Sequence, residues 1–399
     1  MTGAALPPAD PPQLRRVLTF WPLVLYGLGL IVGAGIYVAI GAVIGRAGGA
    51  APLSFLLAGI AAGLTGLCYA ELAGRYPEAS GAVAYVRHGF GSDRLARLVG
   101  AAMVLAVAVA AASIARGAVH YLVVLLPLPV PLLTIALVAG FTGIAALGAR
   151  ESVGLAAAMG VVEIAGLVVA TVAGFLAAPE YRLAAMIPAS MAGWQGVLAG
   201  AFIAFFAFIG FETLANLAEE VKDPRRTVPR GILGAVAASV VLYVAVAVAV
   251  VQSGSVSDTA LLGLFEGTNA SVFAAVGSIA VANGVLVQIV MLARLFYGMA
   301  RNGQLPAILG RVHPRTHTPA WATGLAGALV LAAALFIPFE HLLVFANAVT
   351  LGIFALVDTA LWRLRRHAPP VAGSFTVAGW VPPAAASLAV ALMLAEIVS

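Results

Sequence analysis

The chain has 399 residues, of which 62% are apolar and only 9% are charged. A soluble globular domain is about 45–50% apolar and about 25% charged, so 21 basic and 16 acidic residues cannot form the surface of a soluble chain of this length. The composition excludes a soluble enzyme, a nucleic-acid-binding protein and a disordered chain, and indicates that lipid is the main solvent. The net charge of +5 is typical of the basic cytoplasmic loops of membrane proteins, so no nucleic-acid partner is expected.

The first 16 residues are polar and rich in proline, and they predict a cytoplasmic tail. The apolar stretch that follows is too long for a cleaved signal peptide and is predicted to be the first membrane span. A helix needs about 20 apolar residues to cross the hydrocarbon layer. The chain contains eleven such stretches, at about 19–45, 50–73, 98–126, 131–149, 153–177, 194–218, 230–252, 272–300, 319–338, 342–362 and 378–398.

The basic residues predict how these spans are oriented. With the N-terminus in the cytoplasm, 17 of the 21 Lys and Arg residues fall on the cytoplasmic side, and only Arg46 and Arg182 fall outside. Cytoplasmic loops carry this excess of basic residues. We therefore predict a multi-pass protein of the plasma (cytoplasmic, or inner) membrane. Its N-terminus is expected to be cytoplasmic and, after eleven spans, its C-terminus extracytoplasmic.

The first and sixth spans share glycines near the middle of the membrane. Gly33-Ala34-Gly35 lies in the first span, and Gly210 with Glu212 lies in the sixth. The two spans are five apart, an odd number, so the two halves of the chain have opposite topology. Interrupted spans at matching positions of inverted halves are typical of transporters with a midplane site. The alternative for the first-span glycines is a face of small residues that packs against another helix.

Unwound backbone in these two spans would leave peptide groups without partners in a region of low dielectric constant. Free N–H groups at the start of a half-helix attract a carboxylate, and free C=O groups attract an ammonium. An amino acid zwitterion carries both groups. The sequence therefore predicts a midplane site for an amino acid between the first and sixth spans.

Glu163 is an acidic residue near the bilayer centre. It lies ten residues into the fifth span, about 15 Å along a helix that rises 1.5 Å per residue. Insertion scales put the cost of an acid there at about 2.5–3.5 kcal/mol, and this cost falls on the ionised form. Glu163 is therefore expected to gain and lose a proton during a transport cycle. The alternative is a protonated glutamate that forms a structural hydrogen bond between helices.

Sodium coupling competes with proton coupling but is the weaker prediction. A hard cation is held by several oxygen ligands, some of them hydroxyls. In the middle of the eighth span, residues 277–288, Ser278 is the only hydroxyl residue. The chain also carries no phosphate-binding loop, no nucleophile elbow and no Cys/His cluster, so no cofactor is expected. An enzyme embedded in the membrane stays a remote alternative, because the loops carry no catalytic cluster.

Four stretches together resemble the amino acid–polyamine–organocation permease family. They are Gly33-Ala34-Gly35-Ile36, the run from Tyr69 to Ala82, the run from Phe206 to Ile232, and the run from Tyr297 to Pro306. The resemblance covers about residues 17–395. It implies an all-α membrane fold like that of the leucine transporter, with two inverted five-helix repeats, discontinuous helices 1 and 6, and here about eleven transmembrane helices.

The resemblance also implies the division of the chain. The expected parts are a cytoplasmic tail (1–16), a first inverted repeat with helices 1–5 (17–177), an extracellular linker (178–193), a second inverted repeat with helices 6–10 (194–366) and an additional helix 11 (367–399).

The same resemblance implies roles for individual residues. Phe206 matches an aromatic residue over the bound substrate, the carbonyls of Ile31 and Ile209 would accept its ammonium, and the N–H groups of Ala34 and Gly35 would hold its carboxylate. Asn283, a polar residue in the eighth span, is expected to face the pathway. The predicted substrate site is Ile31, Gly33, Ala34, Gly35, Ile36, Phe206, Ile209, Gly210 and Asn283.

Two carboxylates are expected to serve proton coupling or gating. Glu163 falls where proton-coupled relatives carry a lysine, and Glu212 matches a carboxylate implicated in proton sensing. The resemblance implies a secondary active amino acid permease, with proton-coupled uptake by alternating access. An amino acid or polyamine exchanger and a sodium symporter are the alternatives. The partners expected are an amino acid, with a neutral one favoured because the pocket is mainly backbone and apolar walls, and membrane lipid.

Overall fold

The computed structural model describes residues 19–76, 81–177, 186–216, 221–254, 260–301, 303–368 and 375–398, and these residues are predominantly helical. In chain order the α-helices are α1 (Phe20–Ile31), α2 (Gly35–Ala47), α3 (Ala51–Arg75), α4 (Ala82–Phe90), α5 (Asp93–Leu125), α6 (Val130–Leu147), α7 (Ala149–Ala177), α8 (Met191–Ala204), α9 (Thr213–Asn216), α10 (Pro224–Ser253), α11 (Gly267–Arg301), α12 (Ala320–Phe336), α13 (Phe339–His367) and α14 (Val381–Val398). The predicted tail 1–16 and the first part of the predicted linker, 178–185, lie outside the described residues. So do residues 77–80, 217–220 and 302 of the family motifs.

The helices have the length and composition of a multi-pass membrane protein. Within the described ranges, nine helical segments are long and apolar enough to cross a membrane, with the run Gly35–Arg75 counted as one. Gly48, with a φ of 55°, divides that run into α2 and α3. The shorter apolar helices α1 and α12 have 12 and 17 residues.

Two of the eleven predicted stretches consist of more than one helix. In the first, 19–45, α1 ends at Ile31 and α2 begins at Gly35. In the sixth, 194–218, α8 is followed by a short 3-10 helix (Phe205–Phe208) and then by turns before α9 begins at Thr213. Both changes of backbone conformation occur at the glycines noted in the sequence.

Local sequence explains several helix ends. The hydroxyls of Ser92 and Ser190 accept from the amides of Leu95 and Gly193, so each serine caps the helix that follows it. Pro224 is the first residue of α10. The first N–H groups of a helix have no partner within the helix, so proline, which lacks an N–H, costs no helical hydrogen bond at this position. These caps place the starts of α5, α8 and α10.

The packing of the long helices brings the two divided stretches together. Helix α1 packs on α10, α2 packs on α8, and α3 packs on both α8 and α10. On the other side, α5 packs against α11 and α13. The ends of α1, α2 and α8 therefore lie in the centre of the molecule, between α3 and α10 on one side and α5, α11 and α13 on the other.

Candidate functional site

A cavity of about 140 Å³ lies where the two divided stretches meet. Eight of the nine predicted substrate-site residues line it, and Glu212 also lines it. These eight are Ile31, Gly33, Ala34, Gly35, Phe206, Ile209, Gly210 and Asn283. The ninth, Ile36, is fully buried and lies outside the cavity lining, because its side chain packs into the hydrophobic core. Its predicted part in substrate binding stays a prediction.

The two divided stretches approach each other backbone to backbone at two glycines. A Cβ atom on Gly35 would lie 2.6 Å from the Cα of Ala207. Gly210 has a φ of 129°, and a Cβ there would lie 2.9 Å from the carbonyl oxygen of Leu30. Contacts this short leave no room for a side chain, and L-residues disfavour the Gly210 backbone conformation. Glycine at both positions is what allows the peptide groups of the two stretches to share one cavity wall.

The start of α2 offers hydrogen-bond donors to the cavity. Among the described residues, none accepts a hydrogen bond from the amide N–H of Gly33, Ala34 or Gly35. The first N–H groups of a helix have no partner inside the helix and carry partial positive charge. All three residues line the cavity. This corner is therefore suited to a carboxylate or another anion.

Carbonyl groups lie in the same cavity. No described residue donates to the carbonyl of Ile209, which stands in extended backbone after the 3-10 helix. The carbonyl of Ile31, in contrast, accepts from the hydroxyl of Tyr243 at 2.6 Å. A carbonyl oxygen has two lone pairs, so the Ile31 carbonyl can still accept a second donor. The cavity thus holds acceptors for an ammonium as well as donors for a carboxylate.

Tyr243 connects the two divided stretches and was not identified from the sequence. Its buried hydroxyl lies 2.6 Å from the Ile31 carbonyl and 2.9 Å from the Ala207 carbonyl. A single hydroxyl proton is shared between these two acceptors. The available signal was a lone tyrosine within the apolar run of the seventh span, but such a residue is equally compatible with simple packing. Only the packing of α10 on α1 shows that it bridges two unwound segments.

Glu212 caps the unwound segment of the sixth stretch. Its Oε2 accepts from the amide of Gly210 at 2.8 Å, and the residue lines the cavity. This contact satisfies a peptide N–H that helix geometry leaves free. Glu212 therefore has a structural partner within its own turn, in a position from which it also faces the cavity.

Glu163 lies behind the cavity wall and does not line it. It is buried, with an exposed fraction of 1%, and its Oε2 accepts from the Nδ2 of Asn283 at 3.2 Å. Glu163 Oε1 and Asn283 Oδ1 have no partner among the described residues. Tyr37 donates its hydroxyl to the backbone carbonyl of Glu163 at 2.7 Å and so joins α2 to α7. One amide side chain thus connects Glu163 to the cavity.

The remaining walls come largely from α3, α4, α5, α11 and α13, and of their residues only Asn283 was assigned to the site from the sequence. They are largely apolar, with Gln288 and Thr350 as polar exceptions. The apolar wall residues include Met103, Val107, Val287, Met291 and Ile353 from α5, α11 and α13. Phe206, only 5% exposed, covers the cavity from the 3-10 helix. The side-chain region of the cavity therefore suits a mainly apolar group.

Comparison with known proteins places the chain in a family. The sequence matches the family described as amino acid permease over residues 18–398. It is 33% identical to the vacuolar cationic amino acid transporter 4 of Arabidopsis thaliana, over 90% of this chain and 65% of the relative. It is 29% identical to the methylthioribose transporter of Bacillus subtilis, over 92% of this chain and 84% of that protein.

Human cationic amino acid transporter 4 is 31% identical over 90% of this chain and 61% of its own length. The chain thus spans less than two thirds of the length of these cationic amino acid transporters. The family match, in contrast, extends over nearly all of the chain. The chain therefore belongs to the amino acid permease family, within the amino acid–polyamine–organocation superfamily.

Proposed function

We propose that this permease carries an amino acid across the plasma membrane by secondary active transport, driven by a proton gradient. One observation carries this proposal: amides at the start of α2 and the carbonyl of Ile209, which have no hydrogen-bond partner among the described residues, face the same central cavity. These groups match the carboxylate and the ammonium of a zwitterion. A cavity in the middle of a multi-helix membrane protein is also where secondary transporters bind their substrates.

The architecture that we propose has two inverted five-helix repeats, residues 17–177 and 194–366. Supporting it, the divided stretches are the first of one half and the first of the other, and they meet at Gly35 and Gly210. With a cytoplasmic N-terminus, the odd number of spans in each half gives the two halves opposite orientations. Alternating access would then proceed by movement of one helix group against the other around a fixed cavity.

Proton coupling is assigned to Glu163. It is buried, has no cation as a partner among the described residues, and is joined to the cavity wall by Asn283. A carboxylate held this way in low dielectric is favourable only when protonated or paired. We propose that Glu163 takes up a proton in the outward-facing state and releases it inward.

A neutral substrate is proposed because the walls beyond Phe206 are mainly apolar. The cavity carboxylate, Glu212, already accepts from the Gly210 amide. A cationic amino acid is the second candidate, since Glu212 does face the cavity and several relatives are named as cationic amino acid transporters. A contact between the Glu212 carboxylate and a cationic side chain of the substrate is the feature that would favour this second candidate.

Uptake into proteoliposomes tests the proposal. Purified protein would be offered neutral, cationic and acidic amino acids, putrescine and methylthioribose, each with an inward proton gradient, an inward sodium gradient or no gradient. We expect saturable accumulation of a neutral amino acid that requires the proton gradient. Accumulation driven only by sodium, or counterflow without net proton movement, would contradict the proposed coupling. Failure to take up any amino acid above protein-free liposomes would contradict the permease assignment.

A further inference from the structure

Asp358 is another fully buried acid, in a different helix from the proposed coupling site. It lies in α13, one helical turn after Phe354, which lines the cavity. Its exposed fraction is 0%. Its Oδ2 accepts from the hydroxyl of Thr65 in α3 at 3.0 Å, and its Oδ1 has no partner among the described residues. The Thr65 hydroxyl and the neighbouring Cys68 thiol therefore join α3 to this acid of α13, and both are neutral donors.

The charged groups near Asp358 are already paired with one another. Glu71 of α3, itself fully buried, accepts from Arg75 at 2.7 Å and from Arg365 of α13. It also accepts from the backbone amide of Val377 at 2.9 Å. We call Glu71, Arg75 and Arg365 the inner cluster. Neither arginine of this cluster forms an ion pair with Asp358.

The other titratable groups near Asp358 are a thiol and two phenols. Cys68 of α3 lies close enough to interact with the carboxylate, and Tyr69 lies within its electrostatic reach. The ring of Tyr85, from α4, packs on Tyr69 at 5.7 Å between centroids. In the described part of the chain, no side chain of α5, α8, α12 or α14 forms a hydrogen bond or an ion pair with Asp358.

An ionised carboxylate in this position would have no compensating charge. The free-energy cost of burying a charge without a partner is far larger than the stabilisation from a hydrogen bond to a neutral donor such as the Thr65 hydroxyl. Proteins avoid that cost by neutralising the group. A proton on Oδ1 would remove the charge and leave Oδ2 to accept from Thr65. The geometry therefore fits a protonated aspartic acid while α3 and α13 are packed together.

Asp358 also lies on a route between the cavity and the inner cluster. Tyr69 lines the cavity and lies within electrostatic reach of both Asp358 and Glu212. Arg365 of the inner cluster follows Asp358 two turns later in α13. Separation of α3 from α13 would break both the Thr65 contact and the ion pair of Glu71 with Arg365, and it would expose the acid to water.

We propose that Asp358 is a second proton-binding site, distinct from Glu163, which holds its proton while α3 and α13 are in contact and releases it when they separate. Its part in a transport cycle rests on the function proposed above. The presence of a proton on Asp358 in the resting protein does not rest on that function, because it follows from the burial and the pairing of this side chain alone.

Infrared spectroscopy of protein labelled with [4-13C]aspartate tests the resting state without transport. The chain has only five aspartates, and the other four, Asp10, Asp93, Asp223 and Asp258, lie outside the apolar stretches. We expect a labelled carboxylic acid C=O band at neutral pH that is lost in Asp358→Asn and kept in the exposed control Asp93→Asn. A labelled wild-type spectrum with carboxylate bands alone overturns the proposal, and this result does not require the variant to fold.

Proteoliposome uptake tests the part in the cycle. In Asp358→Asn we expect substrate binding within about twofold of wild type and a turnover rate whose dependence on internal pH is flattened, with Asp93→Asn unchanged. A wild-type pH profile in Asp358→Asn overturns the role in transport. If wild-type protein transports no amino acid, the function proposed above fails, and the labelled band still decides whether Asp358 binds a proton.

Discussion

The side-chain amide of Asn283 donates to Oε2 of Glu163 across 3.2 Å, and this contact joins α11 to α7 behind the cavity. Asn283 faces the cavity and Glu163 does not. Under the proposed function, protonation or deprotonation of Glu163 would therefore act on the cavity through one amide group. The arrangement gives a physical basis for coupling between substrate and proton, because each would alter the same hydrogen bond.

Replacement of Glu163 by Gln tests this coupling. Gln keeps the size of the side chain and can still accept from Asn283, but it cannot exchange a proton. We expect substrate binding to persist and accumulation driven by a proton gradient to be lost, leaving only equilibration. Uptake with and without the gradient measures this, with the exposed Glu340→Gln as control. A variant that still concentrates substrate with the wild-type pH dependence would rule out Glu163 as the coupling group.

Replacement of Tyr243 by Phe tests the bridge between the two divided stretches. The Tyr243 hydroxyl donates to the carbonyls of both Ile31 and Ala207, so its loss leaves these two buried carbonyls without this donor. We expect a loss of stability of about 0.5–1.5 kcal/mol per lost hydrogen bond, together with a KM several-fold higher. Thermal unfolding in detergent and uptake kinetics measure these effects. Tyr297→Phe is the control, because it removes a hydroxyl that forms no hydrogen bond to the described residues. Equal effects of Tyr243→Phe and Tyr297→Phe would argue against a bridging role for Tyr243.

Replacement of Gly210 by Ala tests the close approach of the backbones. The new Cβ would meet the Leu30 carbonyl at 2.9 Å, at a φ of 129°. We expect uptake to fall at least about tenfold, which corresponds to roughly 1.4 kcal/mol at the site. Gly298→Ala is the matched control, because a Cβ at Gly298 would have no atom within 4 Å. Alanine in place of glycine inside a helix should stabilise the protein by about 0.5–1 kcal/mol. Wild-type uptake by Gly210→Ala would show that the two stretches need not touch.

Two replacements of Glu212 separate capping from proton exchange. Gln can still accept from the Gly210 amide, whereas Leu cannot. If the residue acts as a cap, Glu212→Gln should bind substrate with near wild-type affinity, and Glu212→Leu should lose affinity by roughly 0.5–1.5 kcal/mol, the net value of one hydrogen bond. Substrate binding measured at constant pH distinguishes the two. An equal loss in both variants would instead indicate that the charge or the proton on Glu212 is required.

Replacement of Glu71 by Ala tests the inner cluster. The change leaves Arg75 and Arg365 buried without their shared partner, since their side chains are 4% and 16% exposed. Removal of one partner from a buried ion pair costs about 3–5 kcal/mol, so we expect a markedly lower unfolding temperature. The exposed pair of Arg87 and Asp93 is the control, because such a surface pair contributes about 0–1 kcal/mol. A small effect of Glu71→Ala on the unfolding temperature would show that water or other groups already form hydrogen bonds with the two arginines.

Much of the fold could be predicted because its signals are local. Apolar runs of sufficient length predict helices in lipid, and the nine long apolar helices and two shorter ones follow those runs. The glycines at 33, 35 and 210 marked the points where helices end, since their effect on the backbone is confined to a turn. The depth of Glu163 in the membrane was predicted by counting along one helix and stays a prediction, and the structure shows that the residue is buried in the protein.

The rest depended on which helices meet across the bundle. Ile36 follows the glycine motif directly, yet helix α2 turns its side chain into the core, away from the cavity. Tyr243 was one polar residue in an apolar run, and nothing in that run indicated that it would reach Ile31, 212 residues earlier. The walls from α5 and α13 are ordinary apolar side chains whose sequence does not distinguish the cavity from lipid.

From composition and pattern alone, the membrane environment, the course of the helices and the glycines at which two apolar stretches change conformation could be inferred. Composition, run length and glycine each act over one helix or less, so they can be read along the chain. The contact of Asn283 with Glu163 and that of Thr65 with Asp358 became visible only in the folded molecule. Contacts of this kind arise between helices far apart in the chain, and they are selected by the packing of whole surfaces, which no local pattern encodes.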